Sequence, residues 1–314
     1  MLRRAAFSLV ALLCGTVAVV SAQEPVLLKY KFQKGEKLKY KTTMSMKQKQ
    51  SIAGMELNTT MTQEVIRSDI VDEVGSDGQV VFKTKTEQMK AKMSISPVGG
   101  EFEFDSTTNA RDTSTEIGAA ITPIFERLVG SEYEVKITPA GKVSEVKGYA
   151  ELLGDLLKDN PYAATFGAGG TDNKSAQHNE QDAFIELPAK AVKPGDTWEV
   201  AREYEMGKLG KFKLKTTYTL EGADKVGNVK TVRIATSTEG SIELDLEQAG
   251  AKVMGTMTVA GSSGTVQFDP IAGRALLIKD TVKSTGNLNI SAGGMNFNVP
   301  IEQEHLQSRE LLLK

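Results

Sequence analysis

Leu38-Lys-Tyr-Lys-Thr-Thr-Met-Ser-Met-Lys-Gln-Lys49 is the stretch that decides the fold. Its even positions carry Leu38, Tyr40, Thr42, Met44 and Met46, and its odd positions carry Lys39, Lys41, Thr43, Ser45, Lys47 and Lys49. A period of two puts these sets on opposite faces of an extended chain, one apolar and one basic, as in a half-buried strand. Residues 211–220 repeat the design, with Phe212, Leu214, Thr216, Tyr218 and Leu220 set against Lys211, Lys213, Lys215, Thr217 and Thr219. Tyr133, Val135 and Ile137 alternate in the same way with Glu132, Glu134 and Lys136.

Turn residues separate such runs. Asp77-Gly78, Gly227-Asn228 and Gly293-Gly294 accept positive φ and read as hairpin turns. Two helical patterns interrupt the strands. Thr113-Ser-Thr-Glu116 has the form of a capping box, followed by Ile117, Ile121, Ile124, Phe125 and Leu128 on one helical face, with Pro123 inside. The second carries Leu152, Leu153, Leu156 and Leu157 and stops at Asn160-Pro161. Residues 167–182 are glycine-rich and then polar without periodicity, the composition of a flexible linker.

Three marks recur in the same order. Lys34-Gly-Glu-Lys-Leu38 and Pro194-Gly-Asp-Thr-Trp198 open the two halves. Leu57-Asn-Thr-Thr-Met-Thr62 matches Leu214-Lys-Thr-Thr-Tyr-Thr219, and a strand–turn–strand follows at Val135–Val143 and at Val266–Leu276. The marks predict duplication of one β-unit, although their spacing varies and the helices lie only in the first half. The expected fold is mainly β: strongly curved antiparallel sheets or half-barrels, with two amphipathic helices against the apolar face. The expected units are a signal peptide at 1–22, a first β-unit at 23–166, the linker at 167–182 and a second β-unit at 183–314.

Arg3 and Arg4, the apolar run Phe7–Val20 and Val20-Ser21-Ala22 form a secretory signal with cleavage before Gln23. Lipidation at Cys14 and twin-arginine export are the rival readings, and the first would anchor the protein in a membrane. Cys14 is the sole cysteine, so the mature chain has no disulfide or thiol chemistry. The expected location is the periplasm, the cell envelope or the exterior, with no transmembrane segment after cleavage. Removing Arg3 and Arg4 from the 38 basic residues leaves 36 against 40 acidic ones, which disfavours nucleic acid as a partner.

Chemistry-bearing residues are sparse. His178 falls in the linker, and His305 falls in a strand whose neighbours Glu302 and Glu304 point to the opposite face. Neither suits a metal site or a triad, and no cofactor is expected. The acidic pairs Asp69/Asp72 and Glu101/Glu103 read as solvated strand faces, and Gly261-Ser-Ser-Gly264 reads as a turn rather than a phosphate loop. Met44, Met46, Met55, Met61, Met89 and Met93 cluster in first-half strands, where methionine either fills a core or forms a soft, adaptable pocket. Copper at Met44 and Met46 lacks further ligands.

Leu187-Pro188 followed by Ala191-Val-Lys-Pro-Gly-Asp-Thr-Trp198 resembles a signature of exported bacterial proteins classed as a domain of unknown function. Phe32-Gln-Lys-Gly-Glu-Lys-Leu38 and the Ile137-Thr-Pro-Ala-Gly141 turn resemble that family as well. The resemblance implies export and carries over no catalytic residue. A more distant, architectural resemblance is to periplasmic lipoprotein carriers. The functional expectation is non-enzymatic binding of an apolar, lipid-like ligand or a partner protein, through an apolar face that includes Tyr40, Met44, Met46, Met61, Phe212 and Tyr218. A structural envelope component and a carboxylate-based hydrolase are the alternatives, and the oligomeric state is not legible.

Overall fold

The computed structural model describes residues 24–52, 54–97, 99–108, 110–157, 173–205, 210–248 and 251–313. The expected signal peptide with Cys14, the helix stop at Asn160-Pro161 and residues 167–172 lie outside the described residues.

The strands are β1 (Lys37–Ile52), β2 (Met55–Val74), β3 (Val80–Ser96), β4 (Gly100–Asp105), β5 (Ala110–Arg111), β6 (Glu132–Ile137) and β7 (Val143–Lys147) in the first half. The second half supplies β8 (Thr197–Glu205), β9 (Gly210–Val226), β10 (Val229–Gln248), β11 (Ala251–Asp269), β12 (Arg274–Ala292) and β13 (Met295–Leu311). The helices are α1 (Glu116–Leu128), α2 (Tyr149–Leu157) and α3 (Asn173–Gln181).

All thirteen strands join one antiparallel sheet that is not closed, in the order β5-β4-β3-β2-β1-β13-β12-β11-β10-β9-β8. The pair β6–β7 branches from the first residues of β3. The first and last strands are neighbours, so the two halves share one sheet instead of forming separate half-barrels. Two-residue turns at Gly227-Asn228 and Gly293-Gly294 link their hairpins, with positive φ at Gly227 and at both Gly293 and Gly294.

The repeated marks share a geometry. Gln33–Glu36 and Lys193–Asp196 are four-residue turns with a positive-φ glycine third, Gly35 and Gly195. In each, the acid caps the turn: the backbone N–H of Gln33 donates to Glu36 and that of Lys193 to Asp196. Each turn also exchanges two backbone bonds with the following hairpin, at Val71 and at Leu220. The halves diverge in the strand after the second hairpin. β11 is a single strand beside β10, with one irregularity between Thr236 and Ser241, whereas β3 is flanked by β4 at one end and β6 at the other, with α1 inserted between them.

Alternation sends Leu38, Tyr40, Val71, Phe82, Val135, Leu220, Ile234, Val266 and Ile278 to one core at the lower end of the sheet. Two extended segments fill it. Leu28 and Tyr30 are buried in the first, and Phe184, Ile185 and Leu187 in the second. The backbone of the first is fixed where Tyr30 and Lys31 donate to the carbonyls of Pro139 and Gly273, one in each half. α1 and α2 cover the side of β3 and β4: Ile121, Ile124, Phe125 and Leu153 pack on Met89, Met93, Phe102 and Phe104. The expected apolar face of α1 is the observed one, but its N-cap is Thr115 rather than Thr113. Asp112 holds the preceding residues in a turn by accepting from the Ser114 backbone and hydroxyl, which delays the helix by two residues.

Residues 173–181, expected to belong to a linker, form α3. Its contacts are polar, which explains why no apolar period marks it. Glu180 accepts from Arg67 at 2.6 Å and from the Tyr133 hydroxyl at 2.5 Å. Gln181 accepts from the backbone N–H of Val143 and donates to the carbonyls of Gly141 and Phe184, while Gln177 donates to the Val143 carbonyl. These glutamines satisfy both backbone groups of Val143, where the open edge of β7 begins. On its other side α3 meets β8, where His178 stacks on Tyr204 with ring centroids 4.1 Å apart. The helix therefore spans the gap between the two edges of the sheet.

Candidate functional site

The inner face of the sheet is layered. The lower layer is packed solid: the void beside Tyr30, Tyr40, Phe184 and Arg309 is only about 10 Å³. Above it runs a belt of charge. Asp69, 1% exposed, accepts from Arg67 at 2.9 Å, from Arg309 at 3.0 Å and from the Thr84 hydroxyl at 3.0 Å. Burial alone would raise its carboxyl, but the two guanidiniums outweigh that and hold it below the usual carboxylate range. The Arg309 guanidinium also lies 3.9 Å over the Tyr40 ring. Asp69 is thus the centre of a buried network, and the expectation of a solvated Asp69/Asp72 face fails for it. The spacing Arg67-x-Asp69 was the available signal, since residues two apart share a strand face. Asp72, Glu101 and Glu103 lie on the outer face, where Asp72 pairs with Lys83 and Glu103 with Lys92.

Above the belt the inner side chains of β12, β13 and β1 are half-buried, whereas those of β3 and β4 and Met61 of β2 are buried. The pairing register aligns Val282, His305, Met46, Met61, Met93 and Phe102 in one row across six strands. The adjacent row is Asp280, Gln307, Met44, Gln63, Ala91 and Phe104. Across the sheet, Phe212 stacks on Tyr204 at 5.0 Å. All six expected ligand-face residues therefore lie on the inner face, but in different states. Met44, Met46 and Phe212 are half-buried. Met61 is buried, Tyr40 lies beneath Arg309, and Tyr218 is stacked on Trp198 at 5.2 Å.

Titratable groups here are perturbed. Burial between apolar neighbours pushes the His305 imidazole down. Burial raises the Asp280 carboxyl, which the Thr236 hydroxyl at 3.0 Å only partly offsets. Enclosure pushes Asp182, just after α3, up to about 6; Arg202 at 3.5 Å opposes this and the Asp280 charge adds to it. The Asp182 side chain is itself 62% exposed, so water screens much of this upward push. Composition and motif spacing gave no sign of Asp182 or Asp280, because α3 and the sheet register place them.

The Asp280 shift yields a test. A raised carboxyl binds its proton more tightly in the folded state, so stability falls as pH rises from the ordinary carboxylate value through the raised one. Asp280→Asn keeps an acceptor for Thr236 and removes the charge. It is expected to raise the melting temperature at pH 7, and the gain should vanish near pH 3; a fall in melting temperature at pH 7 would refute the assignment.

A groove of about 550 Å³ crosses β12, β13, β1, β2 and β3 on the other side of the sheet. Its walls are mostly side chains that alternate away from the core, such as Thr43, Ser45, Thr62, Lys92, Thr281 and Leu306. It is open and has no buried polar group aimed into it.

The sequence pattern of the Family of unknown function (DUF6263) matches residues 77–273. The chain belongs to that family. The DUF6263 match runs from the β2–β3 turn to the β11–β12 turn, so β1, β2, β12 and β13 lie outside it. No curated protein matches this DUF6263 chain in sequence. Among solved structures, one titled for lipid–protein interactions in lipovitellin is similar at 13% identity and TM-score 0.44. That match covers 90% of this chain but spans about a quarter, 26%, of the lipovitellin chain. The β-domain of the Bordetella autotransporter BrkA is similar at 10% identity and TM-score 0.26, covering 88% of this chain and 99% of that one. The translocator domain of the Neisseria meningitidis autotransporter NalP follows at 7% identity and TM-score 0.20, covering 89% of each chain. No helix among the described residues is long and apolar enough to cross a membrane.

Proposed function

We propose that this DUF6263 protein is an exported, non-enzymatic binder of an apolar, lipid-like ligand, held on the inner face above the charged belt. The observation that carries this reading is the half-buried set Met44, Met46, Val282 and Phe212, with stacked Tyr204, on a face whose lower layer is already filled. Methionine is flexible and polarisable, so such a wall adapts to chains of varying shape. α1 and α2 occupy the region of Met89 and Met93, which leaves the row from Val282 to Met46 for a ligand.

Native mass spectrometry of protein purified from cells that export it tests this. Lipid-sized mass increments are expected, and Met46→Glu should reduce occupancy at least about tenfold, since a buried carboxylate there costs several kcal/mol unless paired. Protein that is ligand-free as isolated and does not take up an acyl-chain fluorophore would sink the proposal.

A second reading has one observation in its favour. The Asp182 and Asp280 carboxyls both have raised proton affinity, and the charge of Asp280 adds to the rise at Asp182, a condition that general acid–base work uses. Hydrolysis of ester or glycoside substrates that Asp182→Asn abolishes would support it, and activity unaffected by that change would remove it.

A further inference from the structure

The two turns that open the halves lead into strands with different surroundings. The chain enters β1 after Gln33–Glu36 and β8 after Lys193–Asp196. The Asp196 carbonyl accepts from Leu220 of β9. Alternation then turns the backbone groups of Trp198, Val200, Arg202 and Tyr204 toward β9, and those of Thr197, Glu199, Ala201, Glu203 and Glu205 away from it. In the first half the backbone groups in the equivalent position are taken. The Lys39 carbonyl accepts from Leu312, and β13 pairs with β1 from Tyr40 to Gln50. Among the described residues nothing pairs with that side of β8.

We infer that this side of β8 is a docking edge for an extended segment of a partner protein in which lysine or arginine alternates with apolar residues. The edge is fit to pair. β8 is 9 residues long, contains no proline and keeps one register with β9 throughout. Elsewhere the open edges are short or occupied. β5 has 2 residues, with the Arg111 guanidinium folded onto the carbonyls of Asp105 and Ala110, and the backbone of Val143 in β7 is taken by the α3 glutamines. Trp198 and Arg202 are held from the inner side by Glu186, which leaves the backbone edge of β8 uncovered.

The outer face selects the sign of the segment. Lys211, Lys213 and Lys215 of β9 stand between Glu199 and Glu203 of β8 and Glu239 and Glu243 of β10, in ion pairs of 2.7 to 3.5 Å. The seam at β1 follows the same rule, with Lys41, Lys47 and Lys49 opposite Glu310, Glu304 and Glu302 of β13. The next strand in that alternation after β8 is a basic one, because opposite charges across a strand pair stabilise it and like charges oppose it. A second copy does not supply it. Both terminal edges are acidic, with Glu199, Glu203 and Glu205 on β8 and Glu101, Glu103 and Asp105 on β4. The lysine-bearing strands β1, β9 and β12 are already paired on both sides. The inference does not depend on ligand binding at the inner face.

The test uses residues 23–314, which contain the whole described fold, and a labelled synthetic peptide of residues 210–219. That peptide has the required pattern, Lys211, Lys213 and Lys215 against Phe212 and Leu214. Fluorescence anisotropy is expected to show binding that weakens as salt rises, and none when glutamate replaces each lysine of the peptide. Amide exchange read by NMR locates the site. The amides of Glu199, Ala201 and Glu203 should exchange freely in the unbound protein and gain at least about tenfold protection with peptide, while those of Val200 and Arg202 stay protected throughout. Ala201→Pro deletes an edge N–H that β9 does not use; proline is tolerated there, so affinity should fall at least about tenfold with the melting temperature close to the parent's. Glu199→Gln with Glu203→Gln leaves the backbone intact and should weaken binding about threefold and flatten its salt dependence. A peptide that does not bind overturns the inference, as does binding that Ala201→Pro leaves unchanged or that leaves the edge amides unprotected. So do edge amides already protected in the unbound protein, or a dimer formed without peptide that Ala201→Pro dissociates.

Discussion

Asp69→Ala is expected to destabilise the protein by about 3–5 kcal/mol, measured by urea denaturation at pH 7, a loss on the scale of breaking a buried ion pair from one side. Two guanidiniums, Arg67 and Arg309, and two carboxylates, Asp69 and Glu180, sit together beneath the inner face, each less than a tenth exposed or close to it. Their charges cancel. Removing Asp69 leaves an excess positive charge out of water and strips Thr84 and Arg309 of an acceptor. Adding Arg309→Met restores neutrality, so the double variant should recover part of the loss, and simple additivity of the two changes would argue against a coupled network. The pH dependence has a defined sign. The folded-state pKa of Asp69 is lowered, so its contribution is complete above the ordinary carboxylate value and is lost as pH falls through the lowered one. The parent should therefore lose stability in acid faster than Asp69→Ala does.

Glu180→Ala is the second large effect expected, about 2–4 kcal/mol, smaller because Arg67 keeps Asp69 as a partner. The Tyr133 hydroxyl and one arm of Arg67 lose their acceptor in the interior. The informative readout is where the structure loosens. Hydrogen exchange should rise first in α3 and at Val143, whose N–H depends on Gln181, while β9–β13 stay protected. Uniform loss of protection would mean that α3 is not a separable clasp. Glu180→Gln retains an acceptor for Tyr133 without the charge and should fall between parent and alanine variant.

The contrast between these residues and the strands shows what a single sequence carries. β1 and β9 were legible because one side of each is wet, so burial wrote a period of two into Leu38–Lys49 and Lys211–Leu220. α1 was legible because Ile121, Ile124 and Phe125 face a core. α3 was not, because Gln177, Glu180 and Gln181 hold it by hydrogen bonds, and polar residues look the same whether they face water or a partner. The inner-face rows were half legible: Met44 and Met46 announce a face, but their alignment with His305 and Val282 depends on a pairing between strands at opposite ends of the chain.

That pairing of β1 with β13 has a consequence for how the molecule comes into being. Tyr40 sits opposite Leu311, and Asp69 finds Arg309 from 240 residues away. The emerging chain has no partner for the β13 side of β1 until residues 301–311 have been made. Closing so long a loop costs entropy before any contact repays it, and topologies built from distant pairings fold slowly. The seam between the two halves of this sheet therefore closes only once β13 has been made. Refolding from urea, with and without residues 295–314, measures this: the shortened chain should fail to protect β1 in hydrogen exchange, whereas protection without β13 would show that the seam forms last and is dispensable.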